Sequence, residues 1–254
     1  MLVKLVSVLW VSLAAVAVLG DDFSYVMWDL HDGDQKQVRH TRLTLTIKPY
    51  ANNETWVVNA PYDEARCDAS IDFNVTGKPS PPPVPLLGKL WIMRSCNRDE
   101  TLASRTLEFT DPTATIAPSK TQPVNQWVSN VSTQGHSCEL KGAFTGVFQD
   151  MHDGDEKHVE LLQNGMLKIT PYANNETWVV VAFFDHVNNV ATIDFDVPGK
   201  PSPPPVPLVA RLWELSSCDE RSARKPVFQF TDPSGVVAPA TQPLNQWVKL
   251  DSTN

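Results

Sequence analysis

The sequence predicts an all-β protein built from two tandem, homologous antiparallel β-sandwich domains, with a small β-barrel as the alternative architecture of each domain. Three observations support this fold class. Long segments recur in the two halves of the chain, apolar and polar residues alternate within each half, and a proline-rich decapeptide separates two strand-like runs in both halves. A chain of 254 residues is long enough for two domains of ordinary size.

Direct comparison of the two halves indicates a tandem duplication. The repeated segments are PYANNETWVV at 49–58 and 171–180, GKPSPPPVPL at 77–86 and 199–208, and HDGD at 31–34 and 152–155. The offset between equivalent residues drifts only from 122 to 120, so the copies differ by single-residue insertions in turns. A unit of about 110 residues is a whole domain, because solenoid repeats are shorter.

Within each copy, apolar residues recur with a period of two, which is the period of a half-buried β-strand. In the first copy this alternation predicts strands at 43–47, 55–59, 69–75, 86–93 and around Leu107 and Phe109. Turn-forming Asn, Asp, Gly and Pro residues separate these runs, and no ten-residue helical pattern follows residue 20. We therefore expect six or seven strands in each domain.

The decapeptide GKPSPPPVPL contains five prolines, each of which fixes φ and removes a backbone hydrogen-bond donor. It is therefore predicted to be neither a helix nor a central strand but a stiff polyproline II segment. Because strand-like runs flank both copies of the decapeptide, we interpret it as a rigid connection between strands. The alternative is a docking peptide for an aromatic groove of a partner protein.

The first twenty residues are predicted to be a signal peptide. Lys4 supplies a positive charge, 5–19 is an apolar run, and the acidic pair Asp21 and Asp22 follows. The run is too short for a comfortable membrane span. The expected organisation is a signal peptide at 1–20, a β domain at 21–132, a linker at 133–141 and a second β domain at 142–254. The mature protein is then secreted, with no membrane span.

Charge and composition exclude some classes of partner. The net charge is −8 and no basic cluster is present, so nucleic acid is not an expected partner. Hydrophobic residues make up 42% of the chain, which is enough for packed domain cores. We expect an unidentified extracellular protein or glycan as the partner, and no cofactor.

Four cysteines in a secreted chain favour two disulfides, for which three connectivities exist. If 69–75 and 86–93 form a hairpin around the proline-rich segment, Cys67 and Cys96 face each other at its open end. Cys218 is the repeat equivalent of Cys96, whereas Asn189 stands where the first copy has Cys67. We therefore expect Cys67–Cys96 and Cys138–Cys218, with free thiols or inter-chain bonds as the alternative.

Four sequons predict N-linked glycosylation at Asn53, Asn74, Asn130 and Asn175. Asn53 and Asn175 lie in the identical segments PYANNETWVV. Asn74 falls on the polar face of its predicted strand, where a glycan is accessible to solvent.

No catalytic motif is present in the sequence, and we expect no enzymatic activity. The repeated HDGD offers weak metal candidates at Asp32, Asp34, Asp153 and Asp155, because Asp-x-Asp could supply two oxygens to Ca²⁺. The further ligands of an EF-hand loop do not follow in either copy. We favour a tight turn, since Asp-Gly is a hairpin signal, and we expect no metal.

Two tryptophans are the candidate ligand-binding residues. Trp91 beside Lys89 and Trp213 beside Arg211 lie on the opposite face of their strands from the leucines. A tryptophan flanked by a cation could stack on a sugar ring or on the cation itself. The competing interpretation places these rings in the domain core.

These features predict a secreted, non-enzymatic glycoprotein of two β domains that binds a partner or builds structure in the extracellular space or matrix. Two linked, equivalent sites would raise avidity. A carbohydrate-binding lectin is the alternative, with a secreted enzyme or protease inhibitor as a further one.

Overall fold

The computed structural model describes residues 23–41, 43–96, 102–130, 145–217 and 224–250. This part of the chain consists of sixteen β-strands joined by turns and loops, and it contains no helix. Accordingly, the described residues include no helical segment with the length and hydropathy needed to cross a bilayer. The predicted signal peptide and the predicted linker lie outside the described residues.

The strands fall into two sets of eight. The first set comprises β1 Phe23–Asp29, β2 Gln35–Thr41, β3 Thr44–Tyr50, β4 Val58–Asp63, β5 Asp68–Ile71, β6 Leu86–Ser95, β7 Ala103–Thr110 and β8 Pro123–Ser129. The second set comprises β9 Gly146–Asp150, β10 Glu156–Leu161, β11 Met166–Tyr172, β12 Val180–Asp185, β13 Val190–Ile193, β14 Leu208–Ser217, β15 Lys225–Thr231 and β16 Pro243–Lys249.

Each set closes into an eight-stranded antiparallel barrel. Every strand pairs with the next strand in sequence, and the last pairs back with the first, β8 with β1 and β16 with β9. The predicted all-β class is therefore confirmed, and of the two predicted architectures the small barrel fits, not the sandwich. The alternation of apolar and polar residues is the same in both architectures. Only the pairing of the first and last strands distinguishes them.

The interior of each barrel is filled by the inward-facing residues of its own strands. Leu45 and Ile47 of β3 are fully buried, as are their equivalents Leu167 and Ile169 of β11. At one end of the first interior, the rings of Phe109 and Trp127 meet with their centres 4.6 Å apart. Aromatic rings thus complete the core at one end of a barrel whose other layers are mainly aliphatic.

Two long strands join the barrels. The first half of β6 pairs with β5 inside its own barrel, whereas its second half pairs antiparallel with β14 of the other barrel. In that ribbon Ser95 faces Trp213 and Trp91 faces Ser217. The first half of β14 likewise pairs with β13. The two barrels therefore share one continuous sheet of sixteen strands.

The contact between the barrels has an apolar core of its own, which includes Trp91 and Trp213. These tryptophans are only 3% and 2% exposed, so the stacking interpretation does not fit, and the rings are buried between the barrels rather than inside one of them. The other members of the cluster are Leu30, Met93, Val128, Met151, Leu215, Val227 and Val248. The alternation correctly identifies residues that face away from a barrel interior. It cannot show that a second barrel covers that face.

The basic residues predicted to flank these tryptophans remain beside them or on the same strand. Lys89 places its ammonium 5.0 Å from the centre of the Trp91 ring, and Lys225 places its own at 5.4 Å. Arg211 is half-buried on β14. The cations therefore border the contact between the barrels rather than an exposed stacking platform.

The strand register contradicts the predicted Cys67–Cys96 disulfide. Asp68 faces Lys89, and the carbonyl of Cys67 accepts a hydrogen bond from the amide of Leu90. Cys96 directly follows β6 and lies six residues beyond Leu90, or about 20 Å, whereas a disulfide needs Cα atoms within about 7 Å. The prediction is wrong because β5 ends at Ile71, so the connection around the prolines is not symmetric. Cys138 and Cys218 lie outside the described residues.

Candidate functional site

One end of the second barrel opens into a cavity of about 640 Å³. In an up-and-down barrel every second connection lies at the same end. The loops β9–β10, β11–β12, β13–β14 and β15–β16 therefore converge here, and each contributes to the lining. We call this region the mouth of the second barrel. It brings together the repeated HDGD, the NNETW segment and the proline-rich segment.

The floor of the mouth is aromatic. Phe195, Phe230 and Trp247 line the cavity and are almost fully buried. The Trp247 ring lies 4.5 Å from the ring of Phe230 and 5.9 Å from that of Phe195, measured between centres. Such a floor offers a flat ligand a large apolar contact area.

The HDGD segment forms the tight turn between β9 and β10. The amide of Asp150 donates to the carbonyl of Asp155 at 2.8 Å, and the amide of Gly154 donates to the carbonyl of Asp150 at 3.0 Å. Gly154 has a φ of +79°, a conformation that favours glycine. The sequence signal for a turn therefore corresponds to the geometry seen here.

The carboxylates in and just before this turn surround a buried lysine. The Lys157 ammonium lies 3.5 Å from Asp153, 3.6 Å from Asp155 and 4.0 Å from Asp150. In the first barrel Lys36 lies 3.6 Å from both Asp32 and Asp34. Within the described ranges no group of three or more acidic, His or Cys side chains is arranged to hold a metal ion. The lysine takes the position that a cation would occupy.

Asp150 anchors the turn to β16. Its carboxylate accepts hydrogen bonds from Asn245 Nδ2 and from Trp247 Nε1, both at 2.7 Å. Burial raises the pKa of this carboxyl above its ordinary value, and the nearby Asp153 carboxylate adds to the rise. The hydrogen bond from Asn245 and the ammonium of Lys157 act in the opposite direction. The hydrogen bond from Trp247 Nε1 to Asp150 fixes the orientation of the Trp247 ring.

The NNETW and proline-rich segments form one wall of the mouth. Trp178 Nε1 donates to Glu176 at 2.5 Å. The ammonium of Lys200 lies 4.6 Å from the centre of the Trp178 ring and 5.6 Å from that of Phe195. Pro201 to Pro205 line the cavity next to Lys200, and prolines have little freedom to move. The wall is therefore held in place by a cation–aromatic stack and a stiff loop.

The first barrel carries the same residue types at its own mouth. Each charged, aromatic and amide residue lining the cavity has an identical equivalent, and the apolar changes are Ile116 for Val237 and Val124 for Leu244. Several contacts recur as well. Asn125 donates to Asp29 at 2.8 Å, Trp56 donates to Glu54 at 2.7 Å, and Lys78 lies 4.7 Å from the Trp56 ring centre.

One contact differs between the mouths. Trp247 Nε1 is bonded to Asp150, whereas the buried Nε1 of its equivalent Trp127 has no hydrogen-bond partner among the described residues. The pKa of Asp29 is nevertheless raised in the same way, first by burial and then by Asp32. The two mouths thus share their charged and aromatic residues and most of the hydrogen bonds and ion pairs among them.

Sequence reasoning did not identify the mouth. Its central residues are Trp247, Lys157, Asp150 and Phe195, while the predicted candidates Trp91, Lys89, Trp213 and Arg211 are not among the residues lining it. The available signal was the identity of the HDGD, NNETW and proline-rich segments in both copies. Their meeting at one end depends on the barrel topology.

The predicted glycosylation sites are all on the surface. Asn53, Asn74, Asn130 and Asn175 are exposed, although the sequon that begins at Asn130 continues outside the described residues. Asn175 precedes Glu176, which lines the mouth. A glycan there would stand at the rim of the second barrel.

Comparison of the chain with protein-family models, with curated proteins and with solved structures finds no match.

Proposed function

We propose that this protein is a secreted, non-enzymatic binding protein in which each barrel holds one small organic molecule at its mouth. The observation that carries the proposal is a cavity of about 640 Å³ whose lining residues are repeated in both barrels. Small-molecule sites in proteins are typically concave and of roughly 300–1,000 Å³, with apolar walls and a few placed polar groups. The mouth has each of these properties.

The placement of the polar groups supports binding of a ligand that is held in one orientation. Phe195, Phe230 and Trp247 provide an apolar floor, while the Asp153, Asp155 and Glu176 carboxylates and the Asn245 amide stand around it. The floor is rigid because Asp150 fixes the Trp247 ring. A preorganised site binds more tightly, since less freedom is lost on binding.

Secretion and glycosylation are part of the proposal. They are supported by the N-terminal signal sequence and by exposed side chains at the four sequons. The lectin alternative based on Trp91 and Trp213 has no support from their positions, because both rings are buried between the barrels.

A dye titration tests the proposal. N-phenyl-1-naphthylamine is a neutral aromatic probe whose emission rises in apolar surroundings. The wild-type protein should take up about two molecules per chain. Val237→Trp should reduce this to about one, because Val237 lines the second mouth and is exposed enough to accept a larger side chain. Adding Ile116→Trp should abolish uptake.

Val236→Trp is the matched control, because Val236 is an exposed neighbour that does not line the cavity. It should leave the stoichiometry unchanged. Absence of dye uptake by the wild-type protein, or full uptake by the Val237→Trp/Ile116→Trp double variant, would refute the proposed site.

A further inference from the structure

The charged residues of the mouth do not balance. Four carboxylates line the second cavity, at Asp150, Asp153, Asp155 and Glu176, against the ammonium groups of Lys157 and Lys200. The first barrel repeats the same set of charged residues. Negative charge therefore remains in excess at both mouths, even where the buried aspartate is protonated.

The two lysines are already engaged. Lys157 is almost fully buried, and its ammonium lies within 4.0 Å of three carboxylates. Lys200 lies over the faces of Trp178 and Phe195. An anionic ligand would have to draw one of these lysines away from its partners.

The rim carboxylates, by contrast, still face solvent. The Asp153 and Asp155 side chains are 42% and 47% exposed, although each has one oxygen near Lys157. One buried lysine therefore leaves these carboxylates accessible to a second cation arriving from the mouth. Opposite charges at a binding surface favour the matching partner and disfavour the like-charged one.

Resting on the proposed function, we infer that the ligand is a small amine, with a protonated primary or secondary amino group and a flat apolar body. The body lies on the floor formed by Trp247, Phe195 and Phe230, and the ammonium reaches the Asp153 and Asp155 carboxylates. The cavity provides the space for the ligand, and the excess of carboxylates at its rim favours a ligand with a positive charge.

Three probes with one phenyl body and different charge test the inference. They are 2-phenylethylamine, 2-phenylethanol and 3-phenylpropionate, measured by calorimetry at pH 7 and low salt. The wild-type protein is used, because Ile116 also lies beside Asp150 and Asp153 of the second mouth. The amine should bind at least about tenfold more tightly than the acid, with the alcohol between them, and added salt should reduce the difference.

A pair of charge-matched variants locates the effect. Asp153→Asn/Asp155→Asn should weaken amine binding about tenfold and weaken alcohol binding much less, because the alcohol carries no charge. Asp194→Asn/Asp196→Asn is the control, because these exposed residues do not line the cavity. In both pairs the first aspartate accepts a hydrogen bond from the amide of the second, at 2.8 and 2.9 Å. An asparagine oxygen can still accept that bond.

The outcomes separate this inference from the proposed function. Equal binding of amine and acid, tighter binding of the acid, or no binding of the three probes by a protein that still takes up the naphthylamine dye would each overturn the amine preference alone. Failure to bind dye and probes alike would overturn the proposed function and this inference with it. If the Asp153→Asn/Asp155→Asn variant fails to fold, the order of the three probes on the wild-type protein still decides.

Discussion

The two barrels are alike at their mouths and where they meet, and they differ on an outward face. In the second barrel Val181 and Phe183 of β12 are exposed, the latter by 66%. The first barrel has Asn59 and Pro61 at the equivalent positions on β4. A surface that only faces solvent tolerates such changes, whereas the charged, aromatic and amide residues that line the mouths are identical in both copies. The comparison identifies the mouths as the feature common to both barrels beyond their cores.

The largest effect is expected where the barrels meet. Trp91→Ala and Trp213→Ala should each lower the free energy of unfolding by about 3–5 kcal/mol, because each removes a large buried side chain. Since the two residues are repeat equivalents in one shared cluster, their losses should be similar. Urea denaturation of the two variants beside Val181→Ala, at an exposed site, measures this. A loss below about 1 kcal/mol would show that the barrels are not packed together in solution.

The cysteines test a position at which the two copies differ. Asn189, the equivalent of Cys67, donates a hydrogen bond to the carbonyl of Cys96. By the repeat symmetry we predict that Cys218, the equivalent of Cys96, bonds to Cys67, which leaves Cys96 for Cys138. Cys218→Ser should then cost about 2–4 kcal/mol, as for a typical native disulfide.

Peptide mapping of the non-reduced protein checks this connectivity directly. A Cys67–Cys96 peptide would contradict the register of β5 and β6.

A smaller difference should separate the equivalent tryptophans of the two mouths. Trp247→Phe leaves the buried Asp150 carboxylate without one of its donors, whereas the indole nitrogen of Trp127 has no partner in the described structure to lose. The two changes remove the same volume, so Trp247→Phe should cost about 1–3 kcal/mol more than Trp127→Phe. Thermal melts of the two variants measure the difference. Equal losses would show that the two indole nitrogens have the same hydrogen bonding in solution.

The loops that follow β7 and β15 should respond equally to acid. Burial acts to raise the pKa of Asp111, but hydrogen bonds from Thr113 and from three backbone amides outweigh it and lower the pKa to about 2. The pKa of Asp232 is also lowered to about 2, chiefly by the hydroxyl of Ser234. An unfolded aspartate titrates near 3.9, so the stabilisation is present above about pH 4 and is lost as the pH falls towards 2.

Asp111→Asn and Asp232→Asn should each flatten the dependence of melting temperature on pH in that window. Asp194→Asn, at an exposed site, serves as the control. A steep acid transition that survives in both variants would place the responsible carboxylates elsewhere.

The smallest effect is expected on the face where the barrels differ. Phe183→Ser should change the free energy of unfolding by no more than about 0.5 kcal/mol, because the side chain is largely exposed. Pro61→Ser in the first barrel is the matched change. A clear loss for Phe183→Ser alone, measured in urea, would indicate that this face is covered in solution.

Local sequence patterns predicted where the strands lie, but they did not predict that each set of strands closes into a barrel. The period of two located β3 and β6 to within a few residues, because alternation depends only on which side of a strand is buried. It also extended β5 to residue 75, although the pairing ends at Ile71. The alternation continues through Phe73 because that side chain still packs into the core from the loop.

The mouth and the inter-barrel contact could not be derived in this way, because both bring together residues far apart in sequence. Asp150 and Trp247 form a hydrogen bond across 97 positions. Trp91 and Trp213 are covered only because β6 and β14 extend beyond β5 and β13 and pair with each other. The identity of the two copies pointed to the HDGD, NNETW and proline-rich segments. Only the barrel topology shows that these segments meet at one end of each barrel.

The loops that form the mouths also meet between the barrels. Gln122, just before β8, donates to the side chain of Gln149 on β9 at 2.5 Å. A small cavity at this contact is lined by Ile116 of the first barrel and by Asp150 and Asp153 of the second, and both aspartates also line the mouth of the second barrel. A ligand that moves this turn would therefore also move the neighbouring loop of the first barrel, and the two mouths would not bind independently of each other.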